Sequence, residues 1–283
     1  MPVALISGAS TGIGRATALG LAKSGWTVLA GVRGADAGDQ LRADAPDGRV
    51  QPITLDVTSS ADVASASEHV RGLNGAGGGH GRLDALINNA GIGVGGPVEL
   101  IDDEDLRRQF DVNVFGQIAL TRALLPALRA AHGRIIFTSS IGGKVATPFT
   151  APYGASKHAI EAFGDALRVE LISSGVQVAL VEPGSVATPI WGKGREEADR
   201  LTLPPELEPV YGAAIPKLEK VLEDTGRRGV PPEVVAKTIE GALGARRMRA
   251  RYLVGNDARV MLALKRLLPD HMFDRVIRRA MGL

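Results

Sequence analysis

The chain contains no cysteine. That excludes disulfide frameworks, thiol nucleophiles and cysteine-ligated zinc, and it suits a reducing compartment such as the cytoplasm. Aromatic residues make up only 4% of the 283 residues, too few for a platform on which nucleic-acid bases stack. An excess of one charge is also missing. The 33 basic and 31 acidic side chains leave a formal net charge of +2, which gives no footprint for nucleic acid even with a pI near 9.0. The five histidines are scattered without metal-ligand spacing, so no metal site is expected. No run reaches ~18 consecutive apolar residues, so a membrane-spanning helix is not expected. The apolar run that begins at position 2 leaves no room for a signal peptide. What remains is a soluble, cytoplasmic protein whose 45% hydrophobic content can bury a core without staples.

Short β-branched runs fall at 3–7, 27–32, 50–55, 83–88, 134–139, 176–182 and 251–255. Between them lie helical patterns at 12–24, 59–73, 103–130, 153–174 and 231–244. Several of the strands are apolar throughout, as parallel strands buried on both faces are. This predicts an α/β fold: a doubly wound parallel sheet (a Rossmann fold) of about seven strands, helices on both faces, and one domain over residues 1–283. The glycine-rich stretch 72–81 follows a helix and precedes a strand, the context of a surface loop and not of a phosphate cradle.

"SGASTGIG" (7–14) directly follows the first strand and opens the first helix. Gly8 permits a tight turn, while Gly12 and Gly14 let a pyrophosphate and the sheet approach the backbone. The helix N-terminus then offers free N–H groups and partial positive charge. At the end of the second strand an acidic residue would favour NAD(H). Here Val32 and Arg33 stand instead, and arginine matches a 2′-phosphate with a charge-assisted fork. NADP(H) is therefore favoured over NAD(H).

"YGASK" (153–157) sets a phenol and an ammonium four residues apart, on one helix face, with small residues between them. Lowering the tyrosine pKa of ~10 by ~2.5 units takes roughly 3.4 kcal/mol. One ammonium at ~5 Å, in an effective dielectric of ~20, supplies about 3.3 kcal/mol. The spacing therefore suits a site that takes a proton from an alcohol or returns one to a ketone.

Together with "NNAG" (88–91), "VNVFG" (112–116), "SSIGG" (139–143) and "PGSVAT" (183–188), these segments make the chain resemble the classical short-chain dehydrogenases/reductases from residue 2 to about 190. The resemblance implies a catalytic set of Asn113, Ser140, Tyr153 and Lys157; Ser140 is chosen over Ser139 because the family's serine lies thirteen residues before its tyrosine. It implies cofactor contacts from Gly8, Ser10, Thr11, Gly12, Ile13 and Gly14. Further contacts follow from Arg33, from Asp56 and Val57 near the adenine, and from Asn89, Ala90 and Gly91 along the trough. Pro183, Gly184, Val186 and Thr188 should lie by the nicotinamide, and Tyr153 and Lys157 should also touch the cofactor. Ser7 stands where the family often has threonine. Family habit also implies a homodimer or homotetramer.

Ligands in such sheets sit beyond the carboxyl ends of the strands, so 189–230 is expected to be a substrate lid, with a buried helical stripe at 206–223 as the competing use of its apolar residues. Trp191 from that segment is expected at the substrate with Val145, Phe149, Ser140 and Tyr153. The stretch around Tyr153 looks most like the hydroxysteroid and retinol dehydrogenase branch, which implies an apolar alcohol or carbonyl substrate. The tail 257–283 is basic and amphipathic; packing on its own domain or a sister subunit is favoured over contact with an anionic membrane surface. The reading is an NADP(H)-dependent oxidoreductase. A catalytically idle NADP(H)-binding sensor or scaffold is the alternative, and an epimerase or dehydratase of the extended type is disfavoured by the short C-terminal region.

Overall fold

The structure, a computed structural model, describes residues 1–73, 81–190, 203–217, 226 and 228–281. Seven strands form its sheet: β1 (Val3–Ile6), β2 (Thr27–Val32), β3 (Val50–Thr54), β4 (Ala85–Asn88), β5 (Arg134–Thr138), β6 (Gln177–Pro183) and β7 (Arg251–Val254). Their order is β3-β2-β1-β4-β5-β6-β7 and every pair is parallel. The direction of winding therefore reverses between β1 and β4, and the loops leaving these two strands splay apart into a crevice. The expected doubly wound α/β sheet, with helices on both faces and one domain, is the observed fold.

Alternation along each strand divides the core. Ala4 and Ile6 of β1, with Ile136 of β5, join one apolar cluster, which is closed by α1 (Gly12–Lys23), α2 (Ala35–Asp44) and α7 (Pro232–Gly244). Leu5, Ile135 and Phe137 point the other way. Against them pack α3 (Ser60–Gly72), α5 (Gln117–Ala131) and α6 (Ala151–Glu170). Strands apolar on both faces are what this double covering requires.

Three elements depart from expectation. The run 103–130 is not one helix: α4 (Asp103–Phe110) passes into a π-helical turn, Asp111–Gly116, before α5. The wider turn lets Asn113 reach the backbone of Ile92 and seats Gly116 against the Val57 carbonyl, where a Cβ would stand 2.7 Å from the oxygen. The helix α2 was not expected; it buries only Gly38 and Leu41. Of the stretch 206–223, the described part opens with a 3-10 turn, Pro205–Leu207, and one α-turn, Glu208–Tyr211, breaks at 212–214 and is helical again at 215–217; residues 218–223 lie outside the described residues. The glycine-rich residues 74–80 lie outside the described residues.

The tail forms two helices, α8 (Asn256–Leu267) and α9 (Asp270–Met281). Phe273 and Ile277 of α9 bury their side chains against Val145, with Ile141, Met261, Leu264 and Leu268 around them. Among the described residues no helix is long and apolar enough to cross a membrane.

Candidate active site

The phosphate turn begins where β1 ends. Gly8 (φ 66°) and Gly12 (φ 54°) adopt left-handed conformations that favour glycine. A side chain on Gly14 would collide with the Gly8 carbonyl oxygen and the Asn89 amide. Thr11 caps α1 without a side-chain hydrogen bond, and the first turn carries no acidic residue, so its N–H groups and positive end are left for an anion. The Ser7 hydroxyl accepts hydrogen bonds from the backbone N–H groups of Asn89 and Ala90, each at 3.0 Å. The Asn89 amide donates in return to the Ser7 and Gly8 carbonyls at 3.1 and 3.0 Å. The loops after β1 and β4 are thus tied together across the winding reversal.

The π-helical turn places Asn113 beneath the loop after β4. Its Oδ1 accepts from the Ile92 N–H at 2.9 Å, and its Nδ2 donates to the Ile92 carbonyl at 3.0 Å and to Ser156 at 3.1 Å. Gln109 clamps the same loop from α4, accepting from the Val94 N–H at 2.6 Å and donating to the Ile92 carbonyl at 3.0 Å. A β-carbon on Gly91 would lie 3.4 Å from Asn113 Oδ1 and 3.8 Å from Lys157 Nζ.

Helix α6 presents Tyr153 and Lys157, 8% and 3% exposed, on its inward face. Lys157 Nζ donates to the Thr138 carbonyl at 2.8 Å and lies 5.7 Å from the Tyr153 ring centroid. Burial lowers the Lys157 ammonium from its ordinary 10.5 to about 8, against an opposing attraction from Glu161. Burial likewise pushes the Tyr153 phenol upward, and a hydrogen bond with Ser140 only partly offsets this. The expectation pairs Lys157 with the cationic nicotinamide of the oxidised cofactor as the two charges that lower the tyrosine; burial acts against them. A phenolate inside this low-dielectric wall would lose its hydration, so the Tyr153 phenol keeps its proton at neutral pH. Ser140 Oγ also accepts from the Gly142 N–H at 3.1 Å.

These groups line one cleft of about 220 Å³ that runs from the phosphate turn to the tyrosine. Ser10, Thr11, Ile13, Arg33, Asp56, Val57, Asn89, Ala90, Gly91, Pro183, Gly184, Val186 and Thr188 all face it, as do Ser140, Tyr153 and Lys157. Gly14 and Asn113 support it from behind. Thr188 reaches Gly12 so closely that a β-carbon there would be 3.0 Å from its methyl group. At the far end Arg33 is exposed. Burial tends to raise the Asp56 carboxyl, but hydrogen bonds from Thr58 and the charge of Arg33 outweigh it and hold the group below its usual range. The hydroxyls of Thr138 and Ser139 are buried at the cleft without a hydrogen-bond partner among the described residues. Free helix N–H groups and glycines where a Cβ would intrude fit a bound dinucleotide.

Two substrate expectations fare differently. Val145 is 2% exposed and faces Phe273 and Ile277 of α9; it is a core residue and does not line the cleft, because the turn after Ser140 directs it away. Phe149 (φ 63°) meets Tyr211 edge-on, ring centroids 6.2 Å apart. Trp191 lies outside the described residues. Sequence reasoning missed the ties made by Ser7, Gln109 and Gln117, the last donating to the Ala90 carbonyl at 2.7 Å; a hydroxyl at the end of an otherwise apolar strand was the available signal for Ser7. Among the described residues no group of three or more potential ligands could hold a metal.

Residues 2–199 match the family model described as short chain dehydrogenase. An NADPH-dependent 3-dehydrocapnine reductase of Ornithobacterium rhinotracheale is 34% identical over 281 residues, covering 98% of this chain and 96% of that protein. Human retinol dehydrogenase 16 is 34% identical over 287 residues, covering 96% and 86%. Among solved structures, a short chain dehydrogenase/reductase from Burkholderia phymatum in complex with NAD superposes with a TM-score of 0.78 at 26% identity, covering 94% of this chain and 92% of its own. One from Burkholderia cenocepacia in complex with NADP gives 0.71 at 26%, covering 97% and 96%.

The lowered Lys157 pKa has a consequence for stability. Below about pH 8 the lysine is charged in both folded and unfolded chains, and burying that charge costs the full amount; between about 8 and 10.5 the folded state sheds the proton first and the cost fades. The fall from 10.5 to about 8 corresponds to about 3 kcal/mol, reduced by the donor that the Thr138 carbonyl would lose. Lys157→Met should therefore raise the unfolding free energy at pH 7 by about 1–3 kcal/mol. Urea unfolding at pH 7 and pH 10 checks this: the gain should shrink at the higher pH, and a variant less stable at both would contradict it.

Proposed function

Since the chain belongs to the short-chain dehydrogenase family of oxidoreductases, on the retinol dehydrogenase side of it, we propose that it interconverts an apolar alcohol and its ketone or aldehyde with NADP(H), using Tyr153 as general acid and base. The observation that carries this is the single cleft in which Tyr153, Ser140 and Lys157 meet the glycine turn. The nicotinamide, when bound, supplies or accepts the hydride. Tyr153, kept protonated by burial, donates its proton to the carbonyl oxygen in reduction and recovers it in oxidation. Ser140, already hydrogen-bonded to the phenol, steadies the same oxygen as negative charge develops on it. Lys157 holds the nicotinamide ribose hydroxyls, and Asn113 keeps the loop carrying Gly91 and Ile92 in place while its segment positions a water for proton relay.

Arg33 at the open end of the cleft supports NADP(H) over NAD(H), as does the NADPH-dependent relative. The apolar character of retinol supports an apolar substrate. The described residues 203–217 suit a lid: Tyr211 donates to Glu99 at 2.5 Å and its ring rests on Phe149, beside the loop that leads from Ser140 to Tyr153. Phe115, Phe163, Val169 and Ile172 remain exposed on α6 and its neighbours, a surface that fits a homodimer or homotetramer. Light scattering tests this: a particle of 29.5 kDa, a lone chain, would contradict it.

The experiment for the activity is titration of NADPH and NADH by fluorescence, followed by NADPH oxidation with a panel of apolar ketones and aldehydes. Tyr153→Phe should lower turnover by about 10²–10⁴-fold with NADPH affinity within roughly twofold, since the phenol hydroxyl is only one contact among many; full activity would sink the assignment. Arg33→Ala should erode the preference for NADPH by about 10-fold or more, the value of one charge-assisted contact; an unchanged preference would remove Arg33 from the site. Tight NADPH binding with no turnover across the panel would favour the idle sensor instead.

A further inference from the structure

The two tail helices spend only part of their surface on their own domain. Met261 and Leu264 of α8 and Phe273 and Ile277 of α9 turn to one apolar cluster behind the serine turn. Beside that buried stripe each helix exposes a second one. On α8, Val260 and Leu267 are 59% and 79% exposed, and Ala263 between them is exposed as well; intervals of three and four residues set all three on one face. On α9, Met272 and Val276, four residues apart, are 44% and 36% exposed. Exposed aliphatic side chains scattered singly are ordinary, but these are aligned on two consecutive helices.

Arginines border both stripes. Arg259 and Arg266 stand one residue before Val260 and Leu267, and Arg275 and Arg279 lie three residues beyond Met272 and Val276, on the same side of α9. All four are exposed, and among the described residues none of them makes an ion pair. The neighbouring acids do not cancel them. Asp257 accepts from the Ser185 N–H at 2.7 Å, Asp270 pairs with Lys265 at 2.7 Å, and Asp274, two residues from Val276, falls on the opposite side of α9.

An apolar strip edged with unpaired arginines fits a surface that is anionic at its face and apolar just beneath. A bilayer with anionic headgroups is such a surface: aliphatic side chains enter the acyl boundary while the arginines meet the phosphates. A second copy of the chain fits poorly, because in a two-fold interface the patch meets itself, bringing arginine against arginine. A nucleic acid would use the arginines and leave the apolar strip in water.

We propose that α8 and α9 form a docking face for an anionic lipid surface, with Val260, Leu267, Met272 and Val276 entering the headgroup boundary and Arg259, Arg266, Arg275 and Arg279 on the lipid phosphates. The contact is peripheral, since each tail helix stays anchored to the domain by its buried stripe. Helix α8 follows the carboxyl end of β7, and its Asp257 holds Ser185 beside the cleft-lining Gly184, so the docking face starts at the end of the sheet where the cleft opens. It does not depend on the reaction proposed for that cleft.

The test is co-sedimentation of the full chain with vesicles of phosphatidylcholine alone and of phosphatidylcholine mixed with an equal part of phosphatidylglycerol, at low and high salt. Partition onto the anionic vesicles should exceed that onto the neutral ones by about tenfold or more and should fall with salt. Arg275→Gln combined with Arg279→Gln should lower it by about tenfold or more, at about fivefold per arginine. Leu267→Ser, at an exposed position outside the core, should lower it by about tenfold at either salt concentration. Lys23→Gln combined with Arg71→Gln removes the same charge from exposed positions on α1 and α3 and should leave partition within about twofold, because charges beyond a screening length from the lipid contribute little. Equal binding to neutral and anionic vesicles, or an equal loss in the α1 and α3 pair, would overturn the proposal. So would wild-type binding by Leu267→Ser, since charge alone would then suffice, as it does on a nucleic acid. A fall in particle mass by light scattering in the tail variants would also overturn it and assign the strip to a subunit contact.

Discussion

The structure depends on the tie between the ends of β1 and β4. A single buried hydroxyl, Ser7 Oγ, accepts two backbone N–H groups, and the Asn89 amide answers with two bonds to the opposite loop. The sheet has its reversal of winding here, so the two strands' loops would otherwise diverge. Polar groups buried at this position must be satisfied. Satisfying them across the gap fixes the floor of the cleft before any ligand arrives. The same tie explains Gly14, which packs against both partners.

The opposite end of the cleft is organised by charges held in a dry environment. Lys157 is 3% exposed; its ammonium donates a hydrogen bond to the Thr138 carbonyl, and burial lowers its pKa against an opposing attraction from Glu161. Burying such a charge opposes stability locally. Ion pairs of Glu161 and Glu182 with Lys144 and Arg251 tie α6, β6, β7 and the turn after β5 to one another.

The sheet was legible because its strands are apolar on both faces, and the glycine turn because its spacing follows directly from strand to helix. The pairing of Tyr153 with Lys157 followed from their spacing on one helix face, whereas Asn113 and Ser140 followed only from the resemblance to the family's motifs. Other features were not. Helix α2 buries only Gly38 and Leu41, leaving hardly any periodic signal. The π-helical turn inserts its extra residue without disturbing the apolar stripe on either side. Val145 lies between Ser140 and Tyr153 in the chain, yet sequence position says nothing about the direction of a side chain after a tight turn. The Glu161 cluster draws from four separate elements, and only the folded topology brings them together.

The contact of α9 with Val145 and Ile141 makes the last helix part of the wall behind the serine turn. Helix α9 adds nothing to the seven-stranded sheet, whose two apolar clusters close without it. A proteolytic nick between α8 and α9 would therefore loosen the turn after Ser140 before it opens the sheet. The molecule would keep its scaffold and lose the packing behind that turn. The serine turn and the scaffold are thus separable at this end of the chain.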